Sequence, residues 1–251
     1  MRSSRITGPA TGRRRLLTPG CECSTSSTST WQRPQGRASV TIGALVAEGA
    51  GRLPPGQKLE TRLPVRTFGR TPELDLESWR IGIFGLVERE VELGWGQFAA
   101  LPRAEETSDL HCVTQWSRLG NRWEGVRFRD LAALARPHGE ARFATIHCYG
   151  GFTASMDLEG LMADDVLLAT GLDGRDLTPD HGWPVRLVVP ARYAWKSAKW
   201  VMGIELTAEE APGFYERRGY HLRGDPWAEE RFWPELDPGF YLTIAVCSDR
   251  L

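Results

Sequence analysis

The sequence predicts a sheet-rich, mixed α+β fold, and three features of its pattern support that class. Short apolar segments of strand length recur along the chain, whereas amphipathic segments of helical length are few. Strand and helix signals do not alternate in the way that a βαβ fold requires. No segment repeats at a fixed period, which argues against solenoids and propellers.

The N-terminal fifth of the chain differs in composition from the rest. Residues 1–51 are rich in Arg, Ser, Thr and Gly and lack a sustained apolar period, so they are predicted to form a low-complexity, loosely ordered tail. The apolar stretch 39–47 is the one part of it that can dock on a domain. The domain itself is predicted over 52–251, and four prolines between 54 and 72 make its beginning extended.

The first half of the domain carries both strand and helix signals. A strand is predicted over 79–87 and a short helix within 91–103. Residues 110–116 are predicted to form a strand that runs into a loop, because the sequence after them shows neither strand alternation nor a helical repeat. The clearest helix is predicted over 126–137, where apolar residues share one face and Pro137 ends the pattern.

The second half is dominated by strand signals. A strand is predicted over 141–149, and a helix of one or two turns follows within 157–165. The Asp-Gly dipeptide at 173–174 lies between apolar runs and predicts a hairpin. Two further strands, over 185–189 and about 199–206, are joined by a loop that is both basic and aromatic.

Composition and missing motifs narrow the classes of function. The 251 residues carry a formal net charge of −1, which gives no global electrostatic argument for binding nucleic acid or an anionic membrane. No run approaches the about 18 apolar residues of a membrane helix, so no membrane insertion is expected. The sequence contains no GxGxxG, P-loop, HExxH or GxSxG motif, which argues against the nucleotide-binding and hydrolase solutions that use them.

Cysteine usage and the N-terminus bear on the compartment. Five scattered cysteines argue against a secreted disulfide scaffold and favour a reducing compartment. Arg13, Arg14 and Arg15 would open a twin-arginine export signal only if a long apolar stretch followed, and the following sequence is polar. A cytoplasmic location is therefore expected, with periplasmic export as the alternative.

Cys112 is the first candidate for chemistry. It ends a predicted strand, with His111 before it and Trp116 and Arg118 shortly after it. Nearby cations favour a thiolate, which is the reactive and metal-binding form of cysteine. The alternative is a buried cysteine that packs as a small hydrophobic side chain.

The His-Cys pair recurs at residues 147 and 148, again at the end of a predicted strand. Two such pairs raise the hypothesis of a zinc site of the Cys₂His₂ type. Adjacent side chains on a strand point to opposite faces, however, so both members of a pair rarely reach one metal. The spacing also matches no common zinc pattern.

The loop 191–200 is the second candidate site. It places three cations and Ser197 among aromatic residues, a combination that suits a phosphate group. The alternative is a solvated strand edge guarded by lysines. Shortly before the loop, His181 and Arg186 lie at the start of a predicted strand, where Arg186 can point inward toward an anion.

Three separated stretches together carry a family resemblance. They are "CVTQWS", which begins at Cys112, "GWPVRLVVPARYAWKSAKWVMGIEL" at 182–206 and "GYHLRGDPWAEERFW" at 219–233. In this order they resemble the oxidoreductase molybdopterin-binding domain of the sulfite oxidase superfamily. The likeness is greatest to its small single-domain bacterial members, such as the catalytic subunit of protein-methionine-sulfoxide reductase. It covers about 52–234 and implies the sheet-rich mixed fold of that family.

The resemblance also implies a cofactor and its site. Molybdenum would be held by the dithiolene of a molybdopterin, with Cys112 as the soft protein ligand. Trp116 and Arg118 would shape the substrate pocket. His181 and Cys148 stand where the reductase relatives have asparagine and threonine. The residues implied to contact the cofactor are Arg66, Thr67, Cys148, His181, Arg186, Ser197, Ala198 and Lys199.

The implied reaction is a two-electron transfer of an oxygen atom to or from a small sulfur or nitrogen oxide. Sulfite itself is not predicted, because true sulfite oxidases follow their cysteine closely with Asn-Arg-Arg, whereas Val-Thr-Gln-Trp-Ser-Arg follows Cys112 here. Electrons would pass to or from a separate partner, for which the reductase relatives provide a membrane haem protein as the example. The alternatives are a non-catalytic molybdopterin-binding domain and, more remotely, a zinc-stabilised module.

Overall fold

The computed structural model describes residues 51–233. The predicted tail, apart from Gly51, and the stretch beyond residue 233 lie outside this range, so the predicted domain boundaries stay predictions. The strands are β1 (Lys58–Leu59), β2 (Arg80–Gly85), β3 (Val91–Gly94), β4 (Ala104–Cys112), β5 (Trp116–Arg127), β6 (Phe143–Cys148), β7 (Thr153–Asp157), β8 (Leu167–Leu172), β9 (Arg175–Asp176), β10 (Arg186–Val188) and β11 (Val201–Thr207). The α-helices of this region are α1 (Trp95–Ala99), α2 (Phe128–Ala135) and α3 (Leu158–Leu161).

The first sheet is built around the long hairpin of β4 and β5. Its strand order is β1-β5-β8-β10, with β4 also paired to β5 and β9 paired to β8. Cys112, the last residue of β4, pairs with Trp116, the first residue of β5. β1 runs parallel to the start of β5, so it fastens the N-terminal part of the domain beside the hairpin turn.

A continuous strand, β5, occupies the stretch that the sequence predicts to be a loop. Buried and more exposed residues alternate only over 120–125, and the buried positions there include Asn121 and Gly125. The Asn121 amide donates to the carbonyl oxygen of Ser108 at 3.0 Å, and a side chain at position 125 would come within 2.3 Å of the Leu168 carbonyl oxygen. A buried amide and a buried glycine do not register in a hydrophobic pattern, which is why the loop prediction is wrong.

The second sheet confirms most of the remaining strand predictions. Its order is β3-β2-β11-β6-β7, with β11 parallel to β2 and antiparallel to β6. Strands β2, β6 and β11 of this sheet coincide with the predicted segments at 79–87, 141–149 and about 199–206, and β10 of the first sheet coincides with the segment at 185–189. The dipeptide at 173–174 joins β8 to β9 with positive φ angles of 55° and 75°, as a hairpin turn of this kind requires.

The main apolar core takes residues from both sheets and from all three helices of the described region. Helix α2 buries the face that the sequence predicts, and Arg136 ends it in the left-handed conformation. Two smaller clusters lie apart from this core, one around Cys112, Trp116 and Trp123 and one around aromatic side chains. Two mixed sheets with three short helices confirm the sheet-rich class.

Two long connections cover the end of the β4–β5 hairpin. The first is the loop 189–200 between β10 and β11, in which the backbone N–H of Ala194 donates to the carbonyl oxygen of His111 at 2.7 Å. The second is the segment 208–233, which contains one 3₁₀ turn at Glu216–Arg218. No helix between residues 51 and 233 is long and apolar enough to cross a membrane.

Candidate active site

The turn after Cys112 is held from two sides. The Gln57 side-chain amide donates to the carbonyl oxygen of Cys112 at 3.1 Å, and the Ser117 hydroxyl donates to the Gln57 side-chain oxygen at 3.2 Å. From the other side, the Arg231 guanidinium donates to the carbonyl oxygen of Val113 at 2.6 Å. The backbone that carries the Cys112 thiol is therefore fixed by residues far away in sequence.

The Cys112 thiol is buried but lies in a positive electrostatic environment. Its side chain is 6% exposed, and Sγ lies 3.2 Å from the Thr114 hydroxyl oxygen. Burial raises the pKa of the thiol, whereas the Thr114 hydrogen bonds and the charges of Arg66 and Arg231 oppose that rise. Without a metal the thiol stays protonated at neutral pH, and a bound cation would favour the thiolate.

Tyr215 and Tyr220 are further residues beside this turn. Their ring centroids lie 4.7 Å apart, and both pack with Val113 in the aromatic cluster. Burial raises the pKa of both phenols, and the nearby Cys112 group raises each of them further. Sequence reasoning did not single out these tyrosines, nor Gln57 or Arg231. The only signal was the third resemblance stretch, which contains Tyr220 and Arg231.

Arg186 forms the centre of a second polar cluster. Its guanidinium is buried, donating to the carbonyl oxygens of His181 at 3.2 Å and Ser197 at 3.0 Å and lying 5.2 Å from the Trp123 ring centroid. Nε has no hydrogen-bond partner among the described residues. Burial lowers the pKa of Arg186 to about 10. Arg186 therefore points into the protein, as the sequence predicts, whereas the anion that it would bind stays a prediction.

Lys199 lies beside Arg186 and is likewise bound by backbone. Its ammonium group donates to the carbonyl oxygen of Asp180 at 2.8 Å and lies 4.6 Å from the Trp200 ring centroid. Burial and the charge of Arg186 lower the pKa of Lys199 to about 7, although Asp180 opposes the shift. Gly182 allows this approach, because a Cβ there would lie 2.9 Å from the Cβ of Arg186 and 3.1 Å from that of Lys199. Arg186 and Lys199 are thus two neighbouring cations that donate mainly to neutral carbonyl oxygens, an arrangement that favours binding of an anion such as phosphate.

His181 contributes its backbone to this cluster while both ring nitrogens are engaged. Nε2 lies 3.1 Å from the carbonyl oxygen of Leu63, and Nδ1 lies 2.8 Å from the Thr178 hydroxyl. Because a carbonyl only accepts, Nε2 carries the proton and Nδ1 accepts from Thr178. Burial lowers the pKa of His181, so the ring is neutral at pH 7.

The other cations of the basic loop do not join this cluster. Lys196 is fully buried and paired with Glu216, and Arg192 is paired with Asp157 at 3.2 Å. The alternative of a solvated strand edge guarded by lysines is therefore wrong for Lys196. Ser197 accepts a hydrogen bond from the backbone of Val189 through its hydroxyl.

Cys148 and Ala198 lie in the main apolar core, whereas Cys112 belongs to a different cluster. Burial raises the pKa of Cys148 far above its usual value. The neighbouring histidines are engaged elsewhere, His111 with Ser117 at 2.8 Å and His147 with Glu205 at 3.0 Å. Between residues 51 and 233 no group of three or more His, Cys, Asp and Glu side chains could hold a metal. The described residues thus do not support the zinc hypothesis.

Trp116 and Arg118 differ in how closely they approach Cys112. Trp116 packs in the same cluster as Cys112, and its buried Nε1 has no hydrogen-bond partner in the described structure. Arg118 instead forms an ion pair of 2.5 Å with Asp173, in the turn between β8 and β9. An anion-binding role for Arg118 would require this pair to open.

Arg66 and Thr67 lie in the segment that precedes β2. Arg66 is exposed, and its charge reaches Cys112. The Thr67 hydroxyl lies 3.5 Å from the carbonyl oxygen of Phe68, whose ring is 4.2 Å from that of Phe214. Phe214 directly precedes Tyr215, so this segment borders the tyrosine side of the Cys112 turn.

Comparison with known proteins gives consistent matches. Residues 68–215 match the oxidoreductase molybdopterin binding domain. The chain is 44% identical over 187 residues to an uncharacterized oxidoreductase, YuiH, of Bacillus subtilis, a match that covers 74% of this chain and 94% of that protein. It is 31% identical over 189 residues to the protein-methionine-sulfoxide reductase catalytic subunit of Campylobacter jejuni, covering 64% of this chain and 61% of the relative.

The fold also matches a solved structure, the sulfane dehydrogenase SoxCD from Paracoccus pantotrophus. The TM-score is 0.52 with 25% sequence identity, and the match covers 56% of this chain and 41% of that one. The chain thus spans less than two thirds of the reductase subunit and of the dehydrogenase chain.

The residues present fit the cofactor of this family. A metal whose other sulfur ligands come from a pterin needs a single soft protein ligand, and Cys112 offers one thiol in a positive environment. The buried Arg186 and the half-buried Lys199 provide the positive charge that the pterin phosphate needs. The chain belongs to the oxidoreductase molybdopterin-binding domain family and is a molybdopterin-dependent oxidoreductase.

Proposed function

We propose that this protein catalyses the two-electron transfer of an oxygen atom to or from a small oxide, with sulfur oxides as the first class to test. The observation that carries the proposal is the Cys112 thiol, fixed at the end of a hairpin and faced by the charges of Arg66 and Arg231. When bound, the molybdenum cofactor supplies the oxygen-atom transfer and the change of oxidation state. The chain supplies binding, orientation and electrostatics.

In this proposal Cys112 would hold the metal as a thiolate, having lost its proton. Arg66 and Arg231 stabilise that negative charge, and Gln57 holds the backbone so that the sulfur keeps its position. Arg186 and Lys199 would hold the cofactor phosphate, and Ser197 and Ala198 belong to the loop that carries Lys199. Lys199 takes up a proton as the anion binds, because its pKa in the unliganded site is about 7.

The electrostatics around Cys112 also bear on the substrate. The charges of Arg66 and Arg231 act on the Cys112 thiol, and Arg118 forms an ion pair with Asp173. We assign the attraction of a polar oxide group to Arg66 and Arg231, because their charges reach the proposed metal ligand. Trp116, which packs in the same cluster as Cys112, is the proposed wall of the pocket. The names of the reductase and dehydrogenase relatives favour a sulfur compound.

The electron partner is proposed to be a separate protein. One relative is named as a catalytic subunit, which implies that it works with at least one other subunit. A membrane haem protein is the partner to test first. Reduction of the loaded protein by membrane fractions, followed through its visible absorption, would measure this exchange.

The decisive test of the proposed function is the metal and its ligand. After expression in a host that makes the cofactor, the wild-type protein should hold stoichiometric molybdenum, measured by elemental mass spectrometry. In Cys112→Ser, X-ray absorption should show one sulfur fewer around the metal, and viologen-linked reduction of methionine sulfoxide should be lost. Cys148→Ser is the matched control and should keep the sulfur count. Wild-type protein with only trace molybdenum, or an unchanged sulfur count in Cys112→Ser, would contradict the proposal.

A further inference from the structure

A buried ion pair joins the two connections that cover the site. The Lys196 ammonium lies 2.5 Å from Oε1 of Glu216, and the two side chains are 0% and 1% exposed. Lys196 also donates to the carbonyl oxygen of Ser155 at 2.6 Å. Trp195 donates through Nε1 to the same Glu216 oxygen at 3.2 Å, whereas Oε2 has no hydrogen-bond partner among the described residues.

The space around Glu216 is closely filled. Gly213 is required there, because a Cβ would lie 2.6 Å from Oε2 of Glu216 and 2.7 Å from the Cα of Ala154. The carboxylate is thus seated between its own turn and strand β7. Its position is defined by the fold rather than by a mobile surface loop.

Stability alone does not explain this pair. Removing two charges from water costs energy that their attraction only partly returns, so an apolar pair of similar size often serves stability equally well. The position of the pair offers another explanation. Lys196 directly precedes Ser197 in the proposed phosphate loop, and Glu216 directly follows Tyr215, which packs beside the Cys112 turn.

Aromatic contacts continue the connection to the Cys112 turn. The Trp195 ring lies 5.2 Å from the Tyr220 ring, which lies 4.7 Å from the Tyr215 ring. Val113, the residue after Cys112, packs against this cluster. A displacement of Glu216 would therefore be transmitted to the Cys112 turn through direct contacts between neighbouring side chains.

We propose that Lys196 and Glu216 are positioning residues that hold Tyr215 and Tyr220 against the Cys112 turn while bracing the phosphate loop. The pair makes no contact with the metal or the substrate, and it acts through the two tyrosines. This inference rests on the proposed function, since it concerns the geometry of the molybdenum centre. It predicts that the ion pair affects the Mo(V) spectrum and the kcat of the molybdenum centre in addition to any effect on folding.

The test compares two double variants that each remove one ion pair of the same loop. Lys196→Met with Glu216→Gln removes both buried charges and keeps an oxygen acceptor for Trp195. Arg192→Met with Asp157→Asn removes the more exposed pair of the loop, whose side chains are 15% and 34% exposed. Each variant is purified with its cofactor and measured for molybdenum content, melting temperature, the Mo(V) electron paramagnetic resonance spectrum, and kcat and KM with methionine sulfoxide and reduced viologen.

We expect the Lys196 and Glu216 double variant to load molybdenum, to show a shifted Mo(V) spectrum and to lose about 10- to 100-fold in kcat, since small misplacements of active groups have effects of this size. The Arg192 and Asp157 control should keep both the spectrum and kcat. An unchanged spectrum and kcat in the first variant, or equal changes in the control, would overturn the proposal.

A conservative variant keeps the test decisive if the double variant does not fold. Glu216→Asp retains the charge but shortens the reach to Lys196, so the loaded fraction should show the same spectral shift to a smaller extent. If Glu216→Asp lowers the melting temperature and leaves the spectrum of the loaded protein unchanged, the pair has only a structural role. Wild-type protein without molybdenum would instead refute the proposed function, which is a distinct outcome.

Discussion

Lys196 and Lys199 lie in the same loop, and both side chains are largely withdrawn from water, yet their electrostatic surroundings are opposite. Lys196 has the Glu216 carboxylate at 2.5 Å, whereas Lys199 donates to a carbonyl oxygen and lies beside the cation Arg186. The first lysine is neutralised inside the fold. The second leaves positive charge that an external anion can neutralise. The comparison separates a lysine that organises the protein from one that binds a ligand.

The largest effect should follow from removing the internal partner of Lys196. Glu216→Gln leaves a fully buried ammonium group without its counter-charge, and we expect a loss of about 3–5 kcal/mol in the free energy of unfolding. Urea denaturation of the cofactor-free protein measures it. Asp157→Asn, which removes the partner of the more exposed Arg192, should cost less than about 1 kcal/mol. Equal losses in the two variants would contradict the distinction between the two lysines.

The next effect concerns the anion that Lys199 is proposed to bind. Lys199→Met should weaken the binding of inorganic phosphate to the cofactor-free protein about 10- to 100-fold, the worth of one charge-assisted hydrogen bond. Titration calorimetry below pH 7, where Lys199 is protonated, measures the affinity. The same variant should keep or raise the stability of the unliganded fold, because it removes a cation from beside Arg186. Unchanged phosphate affinity would show that Lys199 is not part of the anion site.

The sequence located the loop of these two lysines, but it did not identify the partner of Lys196. The pattern "WKSAKW" predicts a basic, aromatic segment, and the resemblance assigns Lys199 to the cofactor. The partner of Lys196 lies 20 residues further on, in a segment with no strand or helix period, and only the fold brings the two together. A local pattern contains no information about such a distant partner.

The reach of local sequence patterns also explains which parts of the fold and of the site could be predicted and which could not. Strands β2, β6 and β11 and helix α2 were predictable because apolar side chains mark their buried faces. Strand β5 was not, because Asn121 and Gly125 stand at buried positions. Cys112 and Arg186 were found through motifs, whereas Gln57 and Tyr215 contribute by position and carry no motif of their own.

The last effect is a pH dependence that belongs to Lys199, and it is small at any single pH step. Its pKa in the folded protein is lowered from 10.5 to about 7 by burial and by the charge of Arg186. Between these values the unfolded chain binds more protons than the folded one, so the stability of the cofactor-free protein rises with pH above about 7. The slope due to this one group cannot exceed about 1.4 kcal/mol per pH unit.

Urea denaturation at intervals between about pH 7 and 9 measures that slope. Lys199→Met should abolish the part that begins near pH 7, and saturating phosphate should do the same in the wild type, because a bound anion raises the pKa of the ammonium group again. Burial lowers the pKa of Lys196 as well, and the coulombic attraction and hydrogen bond of the Glu216 carboxylate oppose that shift. A slope that survives in Lys199→Met would assign the titration to another group and remove the electrostatic difference between the two lysines.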